Sequence, residues 1–145
     1  MATILLVEAD GLLLDLMQLA LEQRGYALVR AQNGADALAA FLQHLPSVVV
    51  LDLFLPQTDV LDLIRRMKKK EACCAILVLS AFGFREVVQQ ALQAGAQDYL
   101  LKPLNMDTLL ERVNKALQEV AAAAPPTPAT PTGKNITKPA FRRIR

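Results

Sequence analysis

The chain has 145 residues, 53% of them hydrophobic and 21% charged, enough for the core of one ordinary domain and too few for two. Its net charge of +2 is uneven: five of the 16 Lys and Arg but none of the 14 Asp and Glu lie after Val120, so residues 1–120 carry −3, and no nucleic-acid-binding body is implied. The start, MATILLVEAD, lacks the basic lead and long apolar stretch of a secretory signal, and no apolar run approaches the roughly 18–20 residues of a membrane span, so a cytoplasmic protein with no membrane partner is expected.

Thr3 to Val7 reads as a short buried strand that stops at Glu8-Ala9-Asp10. Leu12 to Arg24 has helix-forming composition and ends at Gly25, a residue suited to a left-handed terminus. A second strand, Ala27 to Ala31, leads through an Asn33-Gly34 turn into an alanine-rich helix, Ala35 to His44, closed by Pro46. Val48 to Leu51 is apolar without alternation, as in a parallel strand covered on both faces, and Asp52 interrupts it. Pro56-Gln57-Thr58-Asp59 is turn chemistry, after which Val60, Leu61, Ile64 and Met67 fall on one helical face. Arg65, Arg66, Lys68, Lys69 and Lys70 read as a solvated basic face near the negative end of the helix dipole.

Cys73 and Cys74 are adjacent, which suits neither a loop-closing disulfide nor a Cys-x-x-Cys motif, and they read as small packing residues. Ala75 to Leu79 is a fourth strand ending at Ser80-Ala81, Gly83 loosens the loop, and Arg85 to Ala94 is a helix ended by Gly95. Asp98 to Leu101 is a fifth strand, followed by Lys102-Pro103; Asn105 caps a last helix, Met106 to Val120, with Leu109, Leu110, Val113 and Leu117 inward. Strands and helices alternate five times, the pattern of an α/β parallel sheet with helices on both faces. Residues 1–120 are therefore expected to form the domain, and residues 121–145, rich in Pro, Ala and Thr with a basic end, a disordered linker and tail.

In open sheets of this kind chemistry sits beyond the carboxyl ends of the strands. Four strand ends present reactive groups: Glu8 and Asp10, Asp52, Ser80, and Lys102. A carboxylate at the end of a central strand is costly to bury unless a cation meets it. The acids suit a hard cation such as Mg²⁺, and a lysine and a hydroxyl suit the oxygens of a transferred phosphoryl group, with Asp52 as nucleophile.

The stretches ILLVEAD, VVVLDLFLP, LVLSA and AGAQDYLLKP, in this order and spacing, resemble the receiver domain of two-component response regulators, over about Thr3 to Val120. The resemblance implies a flavodoxin-like (βα)5 sheet of order 2-1-3-4-5, the topology that is general for a chemotaxis member of the family. It implies a single-domain response regulator phosphorylated on Asp52 by a histidine kinase or histidine phosphotransfer protein. Ser80 resembles the switch hydroxyl, Ala81 the small residue that keeps the site accessible, Tyr99 the aromatic that reports its state, and Lys102 the phosphoryl-contacting lysine, in a Lys102-Pro103 bond that is usually cis. The metal set implied is Glu8, Asp10, Asp52 and the backbone carbonyl of Phe54. A downstream protein is expected on the face of the fourth helix, fifth strand and fifth helix, and a second copy of the chain is a further candidate partner. No DNA-binding domain is expected within these residues.

Two positions depart from the pattern. Ala9 stands where receivers carry a directly ligating acid, and Asp10 either substitutes for it or caps the first helix. Val60 stands where glycine is common, and a branched residue resists positive φ, so a differently shaped loop is expected. Ala9 motivates the alternative reading, a pseudo-receiver adaptor that binds partners without phosphate.

Overall fold

A computed structural model describes residues 2–123. The elements are β1 (Thr3–Val7), α1 (Gly11–Glu22), β2 (Ala27–Ala31), α2 (Gly34–His44), β3 (Val48–Asp52), α3 (Val60–Lys70), β4 (Ala75–Ser80), α4 (Arg85–Ala94), β5 (Asp98–Leu101) and α5 (Met106–Ala123). All pairings are parallel and the strand order is β2-β1-β3-β4-β5, the flavodoxin-like arrangement expected.

Successive side chains of a strand point to opposite faces, and here each strand feeds two separate cores. Leu5, Val7, Val49, Leu51, Ile76 and Val78 pack with Phe41 of α2, Ile64 and Met67 of α3, and Ala91 of α4. Ile4, Leu6, Val48, Val50, Leu77 and Leu79 pack with Leu14, Met17 and Leu21 of α1 and with Leu109 and Val113 of α5. The three central strands are thus apolar on both sides, which explains runs without polar alternation. Each fully buried Leu, Ile or Met contributes about 1.5–3 kcal/mol.

Helix ends follow local chemistry. Asn33 Oδ1 accepts the Asp36 N–H at 2.8 Å, so Asn33 is a cap and Gly34 the first residue of α2, where a free turn was expected. Gly25 (φ 85°) and Gly95 (φ 124°) take the left-handed conformations anticipated after α1 and α4. Two left-handed residues carry side chains, Leu45 (φ 43°) after α2 and Gln57 (φ 55°) after β3. In the loop after β3 the turn takes its positive φ at Gln57, while Val60 is the buried first residue of α3, behind its cap Asp59.

The basic run of α3 is not wholly a solvated face. Lys68 Nζ donates to the carbonyls of Ala72 and Cys74, each at 2.7 Å, closing the chain end that follows the helix. Cys74 is buried, and burial pushes its thiol up to about 11, in keeping with a packing role. At the other end of the domain α5 continues through Ala121–Ala123, three residues past its expected end, because alanine is the best helix former. The rest of the expected linker and tail, residues 124–145, lies outside the described residues.

Candidate functional site

Parity along the strands decides which strand-end groups meet. Val7 pairs with Leu51, so Glu8 and Asp52 stand one step further on, side by side on neighbouring strands about 4.8 Å apart. Both continue the alternation on the side that packs against α1 and α5, as does Lys102, two residues beyond Leu100. Ser80 falls on the opposite parity, one residue past Leu79.

The outcome is an ion triad. Lys102 Nζ lies 2.8 Å from Glu8 Oε1 and 3.4 Å from Asp52 Oδ2. Glu8 is 1% exposed and Asp52 6%. Glu8 Oε1 is buried, and the Lys102 ammonium is the group that meets it. Its other oxygen accepts the Asp10 N–H at 3.2 Å. Asp52 Oδ1 accepts the Phe54 N–H at 3.1 Å. Burial pushes the Glu8 carboxyl above its ordinary range; the Lys102 ammonium opposes that rise and Asp52 adds to it. For Lys102 burial acts to lower the pKa, but the two carboxylates outweigh it and hold the ammonium above the ordinary lysine value.

The remaining expected residues surround the triad without joining it. Ser80 is fully buried, and its Oγ accepts the Phe82 N–H at 3.0 Å within its own loop. Ala81 is exposed. The Tyr99 hydroxyl donates to the Phe82 carbonyl, tying β5 to the β4–α4 loop. The Lys102-Pro103 peptide is cis.

Asp10 resolves to the second of its two readings. Its Oδ1 accepts the N–H groups of Leu12 and Leu13 at 3.0 and 3.4 Å, and the residue is exposed, so the carboxylate serves the N-terminus of α1. Receiver domains generally bind Mg²⁺ at this acidic site, and the residues here do not fit that ion. Ala9 offers no side-chain oxygen, Asp10 is committed to its helix, and the ammonium of Lys102 stands between the two acids that remain. Among the described residues no three His, Cys, Asp or Glu side chains gather into a set that could hold a metal ion.

An aromatic rim escaped the sequence reading. Phe54 and Phe82 meet edge to face with centroids 5.3 Å apart, and Phe82 stacks on Phe84 at 6.0 Å. They are 53%, 48% and 63% exposed and form an apolar collar on the loops after β3 and β4. The signal was present as phenylalanines just past two strand ends, in DLFLP and SAFGF.

A doubly wound sheet whose acid-lined edge holds a lysine against a strand-end aspartate defines a class of signalling domain. The family model described as response regulator receiver domain matches residues 4–114, and the chain belongs to that family. It is 33% identical over 115 residues to the chemotaxis protein CheY of Bacillus subtilis, covering 79% of this chain and 96% of that protein. It is 36% identical over 124 residues to the transcriptional regulatory protein KdpE of Mycobacterium tuberculosis, covering 86% of this chain and 54% of that longer protein. Among solved structures, a CheY-like receiver domain protein from Methanospirillum hungatei superposes with a TM-score of 0.82 at 26% identity, covering 86% of this chain and 99% of that one. Receiver domains act with histidine kinases and downstream effectors as signalling domains of two-component systems. No helix among the described residues is long and apolar enough to cross a membrane.

Proposed function

We propose that this chain is a phosphorylation-switched receiver that accepts a phosphoryl group on Asp52 from a histidine kinase or histidine phosphotransfer protein. The observation that carries the reading is the Lys102 ammonium 3.4 Å from Oδ2 of a nearly buried strand-end aspartate. A carboxylate oxygen of Asp52 attacks the donor phosphorus, the P–N bond breaks, and the imidazole leaves with its electron pair, giving an acyl phosphate. Lys102 supplies the nearest countercharge to the phosphoryl oxygens.

The acyl phosphate brings about −1.5 to −2 charges to the pocket, by analogy with other phosphorylated side chains. Lys102 then has a stronger partner than Glu8, and the Ser80 hydroxyl can leave the Phe82 N–H to donate to the phosphate. That exchange moves the β4–α4 loop, to which Tyr99 is tied, and repacks the face of α4, β5 and α5 for a downstream protein. The phenylalanine collar, exposed and beginning two residues after Asp52, is where a donor seats.

The test is incorporation of labelled phosphoryl group from a histidine-phosphorylated donor, compared with Asp52→Asn. Label in the wild type and none in the variant is expected; equal labelling of both, or of neither, ends the reading. Ala9 favours a second reading, a pseudo-receiver adaptor that binds through the same face without phosphate. It requires Asp52→Asn to leave partner binding intact.

A further inference from the structure

We infer that Lys102 is the resident cation of this pocket, in place of Mg²⁺, so that the site is charge-organised by the protein alone. Three observations support this. The position next to Glu8 is Ala9, whose side chain has no oxygen to offer a metal. The neighbouring acid cannot be borrowed without uncapping α1, because Asp10 Oδ1 is held by Leu12 and Leu13. The two carboxylates that are left already share one ammonium, at 2.8 and 3.4 Å, and Glu8 is fixed from its other oxygen by the Asp10 N–H. Two acids and one lysine leave the pocket at −1, with no cluster of three carboxylates to demand a divalent ion. A Mg²⁺ ion entering here would have to displace the lysine and shed water for a donor set one carboxylate short.

The first arm of the test reads binding directly and does not depend on phosphorylation: thermal unfolding and titration calorimetry of the full chain in MgCl₂ against NaCl of equal ionic strength. No saturable Mg²⁺ effect is expected for the wild type, and Ala9→Asp, which restores the missing oxygen, is expected to acquire one. A saturable effect in the wild type that Asp52→Asn removes overturns the inference. So does an Ala9→Asp protein that folds and still ignores Mg²⁺, because the missing oxygen would then not be the cause.

The second arm rests on the proposed phosphoryl acceptance: labelling of Asp52 in EDTA and in Mg²⁺. Rates within about threefold of each other are expected, where a metal stabilising the transition state changes them about a hundredfold or more. Labelling that requires Mg²⁺ overturns the inference. Absence of label in both buffers refutes the phosphoacceptor reading instead, and the binding arm still decides this one.

Discussion

Replacing Lys102 by methionine keeps most of the side chain's packing and removes its charge, leaving Glu8 and Asp52 adjacent with no cation between them. Taking one partner from a buried ion pair costs about 3–5 kcal/mol. Here the lysine side chain keeps 24% exposure against 2% for Glu8, and the acids can take up a proton, so Lys102→Met is expected to lose about 2–4 kcal/mol near neutral pH. The pH dependence follows from Glu8, whose folded pKa already lies above its ordinary 4.5. A carboxyl raised in the folded state binds its proton more tightly there than in the unfolded chain, so the contribution of Glu8 to stability is greatest below 4.5 and is lost as pH rises through the folded value. Without the ammonium that rise grows, and the deficit relative to wild type should be smaller at about pH 5 than at about pH 8. The wild-type contribution of Lys102, raised above 10.5, is fully present across this range and is lost only above it. Urea unfolding followed by circular dichroism measures both values. A deficit under about 1 kcal/mol, or one equal at the two pH values, refutes the triad as the pocket's electrostatic support.

Two further substitutions probe the frame around the site. Gly34→Ala would ordinarily favour a helix by about 1 kcal/mol, but its Cβ would fall 2.5 Å from Thr58 Cγ2 and 2.8 Å from Thr58 Oγ1. A net loss of about 1–2 kcal/mol is expected, reduced in a Thr58→Ala background; a double-mutant cycle with no coupling rejects the contact. Asp10→Ala should destabilise the domain by about 1 kcal/mol through the lost cap, read as a lower melting temperature, while Asp10→Ser keeps the cap. Equal losses in both would mean that the carboxylate charge, rather than the cap, is what α1 uses.

Much of the domain is legible because its central strands are covered on both faces. Val48 to Leu51 and Ala75 to Leu79 have no polar positions to hide, so strand, buried layer and reactive terminus appear together. The meeting of Glu8, Asp52 and Lys102 follows from strand ends and parity, and these were the residues the sequence singled out. Asp10 was not decidable, because the same side chain serves as ligand or as cap and only its direction tells them apart. Leu45 and Gln57 take left-handed conformations without the glycine or asparagine that would announce them. Lys68 looked like one more member of a basic run, since its carbonyl partners come from a loop whose path no local pattern specifies. The phenylalanine collar was hidden for a related reason: each ring is unremarkable in sequence, and their stacking depends on two loops from different strands coming together.

The division of each strand between two cores also limits how this chain can vary over evolutionary time. Adding or deleting a single residue within β1 or β3 would turn Glu8 or Asp52 toward α2 and α3, away from Lys102, while hydropathy along the segment would scarcely change. Insertions at the other edge of the sheet, in the turns at the amino ends of the strands, carry no such consequence. Descendants of this sequence should therefore tolerate length changes there and reject them in the two strands that carry the acids.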